Sequence, residues 1–121
     1  MNLDLEAARA SQKIINITMK NTSSEVENLI TKTLGVLQEN GVYACILFLN
    51  SRTSEAEKKI SPVVQKELID ITKRVVKAST NNDNYEYIMD DICSDIDILL
   101  LTKQLWEQTL TYARYGAKAT E

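Results

Sequence analysis

Between Gly41 and Gly116 the chain carries no glycine, and Pro62 is its sole proline. Tight turns draw on Gly and Pro for backbone angles that other residues resist, so a turn-rich β protein is hard to build from such a chain. Long helices are favoured instead. The expected fold class is all-α, a compact single-domain helical bundle of about five to six helices over residues 1–121. With 121 residues and 44% hydrophobic content, the chain can bury one core without disulfide or metal staples.

Leu3 to Lys20 reads as the first helix, with Leu5, Ala8, Gln12, Ile15 and Met19 at three-to-four spacing. Thr22 followed by Glu25 is a capping-box signature, and Val26, Leu29, Ile30, Thr33, Leu34 and Leu37 form an apolar stripe after it. This second helix should end at Gly41 as a left-handed cap; the alternative, a hairpin turn at Asn40-Gly41, conflicts with the helical period upstream. Val42 to Leu49 is apolar throughout and, lacking a clear partner strand, reads as a short buried helix. Asn50 to Lys59 is polar, a connection or a short exposed helix. Ser61-Pro62 then looks like a helix start, with Val64, Leu68, Ile71 and Val75 defining a helix from Pro62 to Ala78. Ser79 to Asn84 is a polar turn cluster. Tyr85 to about Lys118 is helical in period, with Ile98, Leu101, Leu105 and Tyr112 on one face, Trp106, Leu110 and Ala113 beside it, and a break expected near Ser94 or Thr102.

The chemistry available is narrow. There is no histidine, which removes Ser-His-Asp and Cys-His catalysis and most zinc sites. No cofactor or metal site is expected. Cys45 and Cys93 lie in apolar surroundings and read as reduced core thiols, a disulfide being the other reading. No signal-peptide pattern opens the chain, and no apolar run approaches the ~20 residues needed to span a bilayer. A soluble, cytoplasmic protein is expected.

Ser94 to Leu100, SDIDILL, resembles the metal-binding D-x-D strand of minimal nucleotidyltransferases. On a strand Asp95 and Asp97 would share one face and hold Mg²⁺; on a helix they diverge by about 200°. The Gly-Ser pair that this family carries upstream is missing, since Asn81 to Glu86 stands there. The other reading of Asp90, Asp91, Asp95 and Asp97 is a solvated acidic helix face.

With 14 basic and 17 acidic side chains the net charge is -3, so any nucleic-acid contact must be local. Lys66, Lys73 and Lys77 fall within about 40° of one another on a helical wheel, and Lys59 joins them only if the helix extends back through Pro62. Arg74 flanks the stripe and Asp70 sits inside it. Such a stripe serves either as a solvated face or as a lining for a phosphate backbone.

LGVLQENGV, Leu34 to Val42, continuing to LFLNSR, Leu47 to Arg52, resembles the signature of the small helical subunit of type III-B CRISPR (Cmr) effector complexes. Arg9-Ala10 resembles that family's R-A pair, and Leu101 to Leu105 with Tyr112 to Lys118 is similar to its closing helix. Gly35 stands where the family usually has proline, and Tyr112 where it usually has tryptophan. The resemblance implies a non-catalytic helical bundle that stacks along the backbone subunits and self-associates in a filament. Its partners would be the other Cmr subunits, guide RNA and target RNA. Lys32 and Arg52 flank the signature, Arg9 and Lys13 lie in the first helix, and Arg114 lies in the closing one; with Lys66, Lys73 and Lys77 behind them, these would contact phosphates without reading bases. A helical adaptor binding a protein partner is the alternative, and a nucleotidyltransferase using Asp95 and Asp97 is a third.

Overall fold

The computed structural model describes residues 2–79 and 83–120. Among these the regular elements are all helical: α1 (Leu3–Ile17), α2 (Ser23–Asn40), α3 (Val42–Asn50), α4 (Glu55–Val75), α5 (Asn84–Glu86) and α6 (Ile96–Ala119). A 3-10 turn, Thr18–Lys20, extends α1, and a π-helical turn, Tyr87–Ile92, extends α5. The all-α, single-domain bundle expected from the sequence is what forms. No described helix is long and apolar enough to cross a membrane.

Helix α6 is the spine of the bundle, packed along α1 and α2, while α4 closes over α1, α2 and α3. Its buried face is Thr102, Leu105, Trp106, Thr109, Leu110, Ala113 and Ala117. Leu105 and the neighbouring Trp106, Leu110 and Ala113 lie on it, whereas Ile98, Leu101 and Tyr112 are only half-buried, so the core is centred on the residues expected beside the main face. In α1 the displacement is larger. Ala7, Ala10, Ser11 and Ile14 are buried, while Leu5 and Met19 of the expected stripe are exposed. Ile15 of the expected stripe is half-buried and packs where α6 carries Gly116, at which a Cβ would stand 3.2 Å from Ile15 Cγ1. Ala7, Ala10, Ser11 and Ile14 repeat at the same three-to-four spacing as that stripe, and the packing of α1 on both α6 and α4 turns their face inward.

Several threonines sit inside the core, and each disposes of its hydroxyl locally. Thr33, Thr72, Thr102 and Thr109 donate to the carbonyls of Leu29, Leu68, Ile98 and Leu105 at 2.7–2.9 Å. A back-bonded threonine presents only its methyl group to the core.

The ends of α2 follow the sequence. Thr22 and Glu25 form the reciprocal capping box. Gly41 takes positive φ, as a cap requires, but with φ 94° and ψ −172° the backbone is extended rather than left-handed helical. Its N–H donates to Leu37 O at 3.0 Å and its carbonyl accepts Cys45 N–H at 3.1 Å, so a single residue joins α2 to α3.

Helix α4 starts a full two turns before the expected place. Ser54, not Ser61, is the N-cap, its hydroxyl accepting Glu57 N–H at 3.2 Å. Pro62 therefore lies inside the helix on its exposed side. The segment 55–59, read as a connection or short helix, is the first part of this long one. At the other end α4 stops at Val75 rather than Ala78, because the N–H groups of Val76 and Lys77 both converge on Thr72 O and Tyr87 donates its hydroxyl to Lys77 O at 2.6 Å. Part of the polar turn expected over Ser79 to Asn84 falls on 80–82, outside the described residues. The break expected near Ser94 is present, with Asp95 as the cap of α6; Thr102 is buried within the helix.

Candidate nucleic-acid interface

Extending α4 back to Glu55 changes which cations share a face. Lys58, Pro62, Gln65, Ile69 and Lys73 recur at three-to-four spacing, one stripe on a helix of 3.6 residues per turn. With Ser61, Lys66 and Asp70 beside it, this stripe forms one wall of a cleft of about 360 Å³. The opposite wall comes from the end of α3, Leu49 and Asn50, together with Arg52 and Asn84. Four cations and one carboxylate thus line a single concavity in a chain whose net charge is -3.

Each cation is held differently. The Arg52 guanidinium stacks 3.7 Å from the Phe48 ring centroid, and its Nε donates to Phe48 O at 3.0 Å. Its remaining contacts are Ser51 Oγ at 3.2 Å and Glu57 Oε1 at 3.8 Å. A side chain fixed in this way loses little freedom on meeting an anion. Lys66 Nζ donates to Asp70 at 2.6 Å, and that hydrogen bond, with the carboxylate's charge, raises the lysine pKa. Lys73 Nζ stands 5.3 Å from the Tyr87 ring centroid. Tyr87 itself is buried, which with the charge of Asp91 pushes its phenol well above the usual range. Tyr85, a half-buried neighbour, lies 6.0 Å from Tyr43 between ring centroids and accepts from Asn50 Nδ2 at 2.5 Å.

Glu57 ties the two cations that flank the signature. Lys32 Nζ donates to its Oε2 at 3.0 Å, and Arg52 lies on its Oε1. Ser54 and Glu57 have capping-box spacing, but the carboxylate that could reach back to the cap is turned to these two cations. Lys32 and Arg52 are thereby neighbours although twenty positions apart.

The structure thus brings Arg52, Lys66 and Lys73 together and sets Lys32 beside them through Glu57. It separates the rest. Lys77 lies beyond the end of α4 and off the cleft. Arg9, Lys13 and Arg114 are exposed on α1 and α6 and do not line it. Arg9 lies 3.9 Å from Glu6, which also takes Arg74 at 3.0 Å. Lys58 is the residue that sequence reasoning missed; the Ser54-to-Glu57 spacing was the signal that would have placed it on α4.

Asp95 and Asp97 do not form the metal-binding strand. Asp95 is the N-cap of α6, its carboxylate accepting the N–H groups of Asp97 and Ile98 at 3.0 and 3.3 Å. Among the described residues no group of carboxylates and thiols could hold a metal ion. Cys45 and Cys93 are free thiols, Cys45 buried and Cys93 half-buried. Burial pushes Cys45 up to about 12.

Compared with protein families, curated proteins and solved structures, the chain matches none.

Proposed function

We propose that this protein is a non-catalytic helical subunit of an RNA-guided ribonucleoprotein, of the kind found as the small subunit of type III-B CRISPR effector complexes. It works in the cytoplasm, stacks with further copies along the backbone subunits, and grips the phosphates of guide or target RNA. The observation that carries this reading is the local reversal of charge: Arg52, Lys58, Lys66 and Lys73 line one cleft of a net acidic molecule, with Lys32 next to it. Phosphate contact fixes position on RNA without reading sequence, which suits a protein that must accept any guide.

The test is recovery of the tagged protein from its native host, with sequencing of any RNA that accompanies it. Processed guide RNA and stoichiometric partner subunits are the expected result. A lone protein, or one unrelated partner without RNA, overturns the reading.

One observation favours a helical adaptor as the second reading. Ile96 and Leu100, one turn apart at the start of α6, are 65% and 57% exposed. Apolar side chains in that arrangement are a common anchor for a protein partner. An adaptor would bind its partner through α6 and show no salt-dependent affinity for RNA.

A further inference from the structure

We infer that the cleft between α4 and the end of α3 seats a single phosphoryl group, and that in the proposed ribonucleoprotein this is one phosphodiester of an RNA strand. The inference rests on the RNA reading for the source of that group, but not for the chemistry of the cleft.

Two independent observations carry it. The first is charge: four cations lie around one concavity with Asp70 as the sole lining carboxylate. The second is an unmet polar group. Among the described residues, Ser61 Oγ is the one buried side-chain polar atom without a hydrogen-bond partner, and Ser61, only 3% exposed, lines this cleft. Buried hydroxyls are almost always paired, so an orphan beside a cationic cleft marks a place where an acceptor belongs. Phosphoryl oxygen is an acceptor that also answers the charge.

Arg52 is already fixed on Phe48, and Asn50, Gln65 and Asn84 add amide donors around the rim. Asp70 and Glu57 hold Lys66 and Arg52 in position from either side. A mononucleotide phosphate and an RNA phosphodiester offer the same oxygens, and experiment separates them.

The test titrates the full chain, labelled with ¹⁵N, with uridine 5′-monophosphate and separately with a short single-stranded RNA of mixed sequence. Both probes should shift the amide signals of Asn50, Arg52, Ser61 and Asn84. The double variant Lys58→Gln/Lys73→Gln should abolish the mononucleotide shifts, weaken RNA about tenfold, and lower the salt slope of RNA binding by about 0.7, the release expected for one phosphate on a single strand. Lys118→Gln, at the far end of α6, should change neither. Ser61→Ala should weaken the mononucleotide while leaving thermal stability unchanged or raised, a pattern that a structural hydroxyl does not give. RNA binding untouched by the cleft variants overturns the cleft and leaves the RNA reading standing. Mononucleotide binding without RNA binding upholds the cleft and removes RNA as its source. No shift with either probe overturns the cleft outright.

Discussion

Trp106 donates its indole N–H to Thr72 Oγ1 at 2.7 Å inside the core, and Thr72 donates its own proton to Leu68 O at 2.7 Å. One hydroxyl therefore satisfies the polar atom of the largest buried side chain and spends its hydrogen on its own helix. The pair ties α6 to α4 through the core. Thr72→Val keeps the shape and removes the acceptor, leaving a buried N–H unpaired. It should destabilise the protein by about 1–3 kcal/mol, read from urea unfolding followed by tryptophan fluorescence. An unchanged midpoint would show that the indole finds another acceptor.

Gly41 and Gly35 make a paired prediction of opposite sign. Neither has an atom within 4 Å of where a Cβ would stand, so space decides nothing. Gly41 needs φ of 94° and Gly35 is an exposed position inside α2. Gly41→Ala should cost about 1–3 kcal/mol from backbone strain. Gly35→Ala should stabilise by roughly 0.5–1 kcal/mol from helix propensity. Thermal unfolding of the two variants against the parent checks both.

Pro62 interrupts α4 on its exposed side. Pro62→Ala restores a donor for the Lys58 carbonyl and relieves the ring's contact with the preceding turn. The interior proline penalty relative to alanine, net of the unfolded state, gives an expected gain of up to about 3 kcal/mol. Urea unfolding measures it. A loss of stability would mean that α4 needs its irregularity.

Alkaline pH should weaken the fold through Cys45. Its thiol is held up to about 12 by burial, against an ordinary value of 9.0. Between these values the unfolded chain has given up the proton and the folded one keeps it. Stability is therefore full below pH 9 and falls as pH rises toward 12. Cys45→Ala should remove the part of the decline that begins near pH 9, and native Cys45 should resist thiol reagents at pH 8 until the chain unfolds.

What was legible in the sequence was local. The Thr22–Glu25 box and the turn at Gly41 need only neighbouring residues to declare themselves, and both stand where they were read. Pro62 misled because a proline after serine looks the same at a first turn as in a helix interior. The distinguishing signal, Ser54 with Glu57, sat seven residues upstream in a stretch that polarity alone marks as a loop. The face of α1 differs from the expected one for another reason: Leu5 outranks Ala7 on any apolar scale, but both lie on stripes of helical period, and which stripe turns inward is decided by the packing of α1 on α6 and α4. The candidate site was half legible. Arg52, Lys66 and Lys73 could be named singly, but the cleft that joins them depends on α3 folding back along α4, and no spacing within either segment encodes that.

Glu57 offers the sharpest separation of RNA binding from a structural role for the basic residues. Its carboxylate engages Lys32 and Arg52, and its side chain is 16% exposed against 56% for Lys32. If those cations serve the fold, Glu57→Gln breaks two ion pairs and lowers stability. Partly exposed pairs of this kind contribute only about 0–1 kcal/mol, so the loss should be small. If the cations serve RNA, Glu57 competes with phosphate for both, and neutralising it should raise RNA affinity several-fold at low salt, with the gain fading as salt screens the site. Arg52 remains held by Phe48 in the variant, so the guanidinium stays in place to make the contact. Fluorescence anisotropy with a labelled single-stranded RNA, run across a salt series alongside thermal unfolding, reads both quantities at once. Higher affinity with near-normal stability supports phosphate contact at this edge of the cleft; lower stability with unchanged affinity assigns Lys32 and Arg52 to the fold alone.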